Sequence, residues 1–313
     1  MKNFIILFIL CINSVYSFSQ IKIAQHVERV FNEDQKYDSL VNYPGENIFS
    51  LKGEDLYVLP PFGASSKERG YMGFYDSYKP HSKHYKNVGS IFTPAELIES
   101  KIFKVVDVKY RKAEYPETPY VGTGLSSEHI FFLALKCDNI QDTIYYEYTG
   151  VSVTFPFLCM GYYEKLKERT IGAEFYYKKR LNNTTKDYKT GESIELIPLS
   201  LWKCIDVVFD DNLGKMSLIL INGNNTIIEA NDYIHYYMIS KSKGDIYKKK
   251  YGDMYITAMN NMIKVGMAKE LVEVAWGEPD KVNITPDLEQ LIYRGKSGMK
   301  CVYIKNGKVS YFN

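Results

Sequence analysis

The stretch Phe103-Lys104-Val105-Val106-Asp107-Val108 returns downstream as Trp202-Lys203-Cys204-Ile205-Asp206-Val207. Both copies run aromatic, Lys, two small apolar residues, Asp, Val, a mixture that suits a pleated, half-buried surface. Matches flank it in the same order. Gly53-Glu54-Asp55-Leu56-Tyr57-Val58 returns as Gly172-Ala173-Glu174-Phe175-Tyr176-Tyr177. The apolar run from Ile130 to Leu135 returns as Met216 to Ile221, and Thr143-Ile144-Tyr145-Tyr146-Glu147 as Thr226-Ile227-Ile228-Glu229. Self-similarity in a fixed order means one structural unit used twice.

Each unit holds at least four strand-like segments joined by turn-rich stretches. Asn222-Gly223-Asn224-Asn225 is a hairpin signal between two of them. Short strands at this spacing predict a small barrel or sandwich, and an SH3-like β-barrel is the expected unit. The 28 tyrosines fit that reading, because many fall in alternating runs such as Ile144-Tyr145-Tyr146-Glu147-Tyr148. The first unit carries a long loop, Pro60 to Gly89, and the second a shorter polar insertion at the same place, Arg180 to Ser193. Helices are few. Ile23, Val27, Val30 and Phe31 share one face of a helix over Ile21 to Phe31, and Thr93-Pro94 is expected to cap a short helix from Ala95 to Lys101.

From about Tyr255 the pattern changes. Ile263-Lys264-Val265-Gly266-Met267-Ala268-Lys269-Glu270-Leu271-Val272 is followed by Trp276-Gly277-Glu278-Pro279-Asp280-Lys281-Val282. Gly266 is expected to break a first helix. Leu271, Val272, Ala275 and Trp276 make an apolar face on a second, which Gly277 and Pro279 end. Leu288 to Arg294 then reads as a strand, and Cys301 to Lys305, Asn306-Gly307 and Lys308 to Tyr311 as a hairpin with a type I′ turn. This stretch resembles the SmpA/OmlA (BamE-like) envelope domain. It departs from that pattern at Ala268, where Ser or Thr is common, and lacks the lipidated cysteine of the outer-membrane members. The resemblance covers about the last fifth of the chain and implies an α-α-β-β-β module that binds protein without catalysis.

At the other end, Lys2, the apolar run Phe4 to Ile12 and the small residues Ser17 and Ser19 have the layout of a cleavable secretory signal, cut before Gln20. The apolar run falls short of the roughly 20 residues that a spanning helix needs. Cleavage removes Lys2, which lowers the net charge of +2 by one. Near neutrality argues against nucleic acid as a partner. No further segment is apolar for long enough to span a bilayer. Cys137, Cys159, Cys204 and Cys301 permit two disulfides in an oxidising compartment, or four buried thiols. Their wide spacing, without Cys-x-x-Cys, makes a zinc or redox site unexpected.

The expected fold is therefore α+β and mostly β: a signal (1–19), a first β unit with its helix and long loop (20–158), a second β unit (159–240), a solvated basic linker (241–254) and the BamE-like module (255–313). His81 and His84 form a His-x-x-His pair in the long loop, with Asp76 as a conceivable third metal ligand. A solvated polar loop explains them as well, so no metal or other cofactor is assigned. His129 and Cys137 could evoke a base and nucleophile, but their even spacing follows from strand alternation, and no Gly-x-Ser-x-Gly elbow occurs. The sequons at Asn182, Asn183, Asn224 and Asn283 matter only in a eukaryotic secretory pathway, and signal and C-terminal motif point to a bacterium. The expected function is non-catalytic binding of an envelope protein or cell-wall polymer, in the periplasm, at the outer membrane or outside the cell. The alternative is a hydrolase of wall peptides or glycans with its site near His81 and His84.

Overall fold

Alternating burial along Asp55–Val58 (β1) and Ile102–Lys112 (β3) sends Leu56, Val58, Phe103, Val105 and Val108 into one apolar interior. Between them lie Phe74–Tyr75 (β2) and the short helix Ala95–Ile98 (α1); after them come His129–Cys137 (β4), Ile140–Tyr148 (β5) and Phe157–Cys159 (β6). The sheet order is β2-β5-β4-β3-β1-β6, antiparallel throughout. The computed structural model describes residues 33–61, 68–87, 91–113, 129–150, 152–180, 182–295 and 298–313. The expected signal and the Ile21–Phe31 helix lie outside them. Asp34–Asn313 cluster as one compact unit, to which all that follows belongs.

Helix Met160–Thr170 (α2) leads to the second sheet, made of Glu174–Tyr177 (β7), Leu201–Asp210, Lys215–Asn222, Asn225–Ala230 and Met238–Ser240. Thr184–Lys186 (β8) and Ser193–Glu195 (β9) pair as a separate hairpin, so the long strands are β10, β11 and β12, and Met238–Ser240 is β13. The second sheet runs β12-β11-β10-β7-β13, the order of the first once β2 is set aside. The agreement extends to single bonds. Gly53 N–H donates to Val105 O, and Gly172 N–H to Cys204 O, each at 2.8 Å. Both glycines sit at positive φ, +88° and +86°, where a side chain would be strained. Register slips at the matched Val105/Asp107 and Cys204/Asp206 positions. Asp107 and Asp206 each accept the N–H of the valine that follows, at 3.0 and 2.8 Å. A bulge adds twist, which curls both sheets at one place. The chain is thus mostly β, in curled antiparallel sheets.

The stretch Pro60 to Gly89 is more ordered than a solvated loop over its described part. Strand β2 pairs with β5, Gly73 O accepts the Glu147 N–H at 2.7 Å, and Phe74 is wholly buried. Thr93 does not cap α1; its hydroxyl donates to Tyr85 O at 2.9 Å because its backbone is held in a bridge with Tyr71. In the second unit the insertion reaches the corresponding strand. Tyr188 N–H donates to Thr226 O at 2.8 Å, and the Asp187 carboxylate accepts the N–H groups of Thr226, Thr190 and Lys189 at 2.6 to 2.9 Å. Those donors hold its carboxyl well below the usual range. Each insertion therefore lies on the outer strand of its sheet, where unpaired backbone would otherwise face solvent.

After Ile234–Tyr237 (α3) and β13, residues 241–254 are not a linker. Lys241–Tyr251 is a helix (α4), and its Gly244 faces Tyr176 and Tyr255. Asp245 accepts the Tyr176 hydroxyl at 2.8 Å and pairs with Lys241 at 2.9 Å. A charge run read as solvated thus has one face against protein.

Two further helices, Asp253–Met259 (α5) and Lys269–Trp276 (α6), lie on a sheet of Lys281–Thr285 (β14), Leu288–Gly295 (β15), Gly298–Lys305 (β16) and Lys308–Phe312 (β17). Tyr255, Met259, Met267 and Leu271 pack on Leu291, Val302 and Ile304. Two expectations need correcting. The first helix ends at Met259, before Gly266, where Asn261 takes φ +62°. The sheet has four strands, since β14 joins the three expected; its alternating Val282 and Ile284 stay exposed instead of entering the core. Asn306 and Gly307 take φ +51° and +73°, as a type I′ turn requires. Among the described residues no helix is long and apolar enough to cross a membrane.

Tyr255 is fully buried, yet its hydroxyl finds no protein partner. A buried unpaired hydroxyl costs about 1–3 kcal/mol. Tyr255→Phe is therefore expected to raise stability by about 1 kcal/mol in urea unfolding. A loss of stability would mean that the hydroxyl is bonded.

Candidate binding cleft

His84 stacks on Tyr75 with ring centroids 4.5 Å apart, and its Nδ1 is buried without a protein partner. His81 is exposed, at φ +59°. Asp76 accepts the Lys83 N–H at 3.1 Å, which commits one carboxylate oxygen. A hollow of about 540 Å³ is lined by Asp76, His84, Tyr85, Asp142 and Tyr145, among others, but not by His81. The two histidines therefore do not share this hollow. Among the described residues no three His, Cys, Asp or Glu side chains gather as a metal site would require. His129 and Cys137 stand at opposite ends of β4, about 26 Å apart at strand rise, so they form no dyad. Cys137, Cys159, Cys204 and Cys301 are free thiols. Burial pushes Cys159 up to about 12 and Cys204 up to about 11, which leaves both protonated and inert.

A larger cleft, about 800 Å³, opens where the chain leaving β7 meets the end of α6 and the β15–β16 hairpin. Lys178, Lys179, Arg180, Arg294 and Lys300 line it, together with Trp276 and Tyr293. The lining positions follow from the strands. The bonds of Leu199 N–H and Lys178 N–H to Tyr177 O and Tyr237 O, each at 2.8 Å, hold the triplet as it leaves the sheet. Gly277, at φ +85°, ends α6 and turns the chain away.

Lys178 is the unusual member. Its side chain is buried, with the residue only 8 % exposed, and its ammonium donates to Val274 O at 2.9 Å. That carbonyl lies in the last turn of α6, where the helix dipole favours a cation. Among the described residues no carboxylate acts on it. Desolvation, helped by the charge of Lys243, brings its pKa down to about 8. Arg180, by contrast, is paired with Glu229 and lies 3.6 Å over the Tyr237 ring. Lys300 lies 5.1 Å over Trp276, which meets Tyr293 edge-on at 5.4 Å. The carboxylates lining the cleft are Glu278 and Asp280, and Asp280 accepts the Arg294 backbone N–H.

The depressed lysine fixes a pH dependence. Its folded value of about 8 lies below its ordinary 10.5. Between those values the unfolded chain binds the extra proton, so stability rises with pH across that window, by up to about 3 kcal/mol. Lys178→Met is expected to abolish that rise and to be more stable than the wild type at pH 7. Denaturant midpoints at pH 7 and pH 10 measure both effects; an identical rise in the variant would refute the assignment.

Reading for catalytic patterns missed this cleft, because its charged side chains come from separate segments and form no motif in sequence. A signal was nevertheless present. Lys178 follows the last residue of the repeated Tyr177 block, where the first copy has Leu59. The backbones agree there too: Leu59 N–H donates to Pro156 O at 2.9 Å, as Lys178 N–H does to Tyr237 O. Comparison of the chain with protein-family models, curated proteins and solved structures gave no match.

Proposed function

We propose that the chain is an exported envelope protein that holds a protein partner without turning it over. The observation that carries this reading is the 800 Å³ cleft, rich in aromatic side chains and cations. Ligand sites favour such junctions between packed units. The two sheets are read as SH3-like barrels. Their common strand order supports this, as do the single turns Ser152–Thr154 and Asn231–Tyr233 before each closing strand. The end of the chain is read as a BamE-like module on the strength of its helix pair, Gly277 and the strands that follow. Export rests on the N-terminal pattern of the sequence, with the periplasm, outer membrane or exterior as destination. The hydrolase alternative finds less support, since His81 faces solvent outside the hollow that His84 lines.

Pull-down from envelope extract with the exported chain is the direct test. A saturable, stoichiometric protein partner is expected. Capture of nothing across several detergents, or of wall polymer alone, would remove the reading.

A further inference from the structure

We infer that the cleft recognises carboxylates of an acidic peptide segment, an inference that rests on the reading of the chain as a protein-binding module. An ammonium taken out of water needs a counter-charge, and an unpaired one is costly. Lys178 has three donors, and one carbonyl, Val274 O, receives one of them. The duplicated fold provides an internal control. At the matched position the first copy makes the same backbone bond with Leu59, so the fold does not need a cation there. The missing partner is an anion that enters from the cleft.

The surroundings define that anion. Lys179, Arg294 and Lys300 also line the cleft, so a ligand there meets several positive charges. Several cations lining one cleft suit a chain with several carboxylates better than a single small ion. The aromatic side chains argue against a sugar platform. Arg180 covers the Tyr237 ring, Lys300 lies over Trp276, and Trp276 meets Tyr293 edge-on. Rings already covered by cations of the same chain leave less face for stacking. The cleft volume lies within the range of roughly 300–1,000 Å³ that suits a ligand of a few residues. Glu278 and Asp280, both exposed, also line the cleft and oppose an anion there.

The test is titration of the exported chain with fluorescein-labelled oligoglutamate, against oligoglutamine, inorganic phosphate and polygalacturonate. Saturable binding of oligoglutamate alone is expected, weakened by salt. Lys178→Met should weaken it about tenfold or more, and Arg294→Gln several-fold. Because Lys178→Met is expected to fold at least as stably as the wild type, lost binding with an undiminished melting temperature is not unfolding. Absence of oligoglutamate binding, or binding unchanged in both variants, would overturn the inference. Binding of phosphate or polygalacturonate without oligoglutamate would overturn it too. The two readings fail differently. A pull-down partner retained by Lys178→Met and Arg294→Gln sinks the cleft and spares protein binding, whereas an empty pull-down sinks protein binding itself.

Discussion

Phe74→Ala is expected to cost about 3–5 kcal/mol, the range for emptying a buried phenylalanine site, although Phe74 belongs to a stretch rich in glycine, proline and polar residues. The reason is its surroundings. Phe74 is 0 % exposed, and its ring meets Tyr71, Tyr146 and Phe157 at 5.9, 5.1 and 5.9 Å. These rings come from three places: the insertion itself, the outer strand β5 and the closing strand β6. Tyr146 is tied to Thr154 O through its hydroxyl and stands perpendicular to Phe157 at 4.9 Å. Rings held that firmly cannot collapse into the space, so the cavity term persists. Met72, two residues away and 57 % exposed, is the control; Met72→Ala should change stability by less than about 0.5 kcal/mol. Urea unfolding of both variants decides the matter. Equal small effects would mean that the insertion does not pack on its sheet.

Gly244→Leu is expected to cost about 3 kcal/mol, at the top of the usual overpacking range. A Cβ at residue 244 would lie 2.6 Å from Tyr176 Cδ2 and 2.7 Å from the Tyr255 hydroxyl. Neither can retreat easily, since Tyr176 is bonded to Asp245 and Tyr255 is fully buried. Gly244→Ala tests the same contact more gently. Helix propensity alone would favour alanine by about 1 kcal/mol, so any net loss understates the clash. In a Tyr255→Phe background one of the two collisions disappears, and Gly244→Ala should then cost less. That coupling, read from a double-mutant cycle, separates a steric cause from a general weakness of α4. Additive effects would refute the contact.

The strands were legible because the repeat doubled every signal. A block such as Lys104-Val105-Val106-Asp107 is ambiguous alone, but its second copy restricts both to one local structure. The turns at Gly223 and Asn306-Gly307 were legible for a similar reason, as positive φ leaves few residue types to choose from. What failed to show depended on contacts distant in sequence. Lys241–Tyr251 reads as a charged, solvated stretch until Tyr176 and Tyr255 are seen against Gly244. Strand β14 lacked a buried face of its own, and Phe74 lies in a short run, Tyr71-Met72-Gly73-Phe74-Tyr75, that glycine interrupts. The cleft was the least visible feature, because Lys178, Trp276 and Arg294 come from separate segments and meet only after folding.

The two insertions fasten their sheets by different chemistry, and acid should tell them apart. The first is anchored by hydrocarbon through Phe74, which has no proton to gain. The second is anchored by the ionised carboxylate of Asp187, whose grip on Thr226 is present above the ordinary carboxylate range and fades as pH falls through its own lower value. On acidification the halves of this duplicated chain should therefore part company, the later one baring its flank while the earlier stays shut.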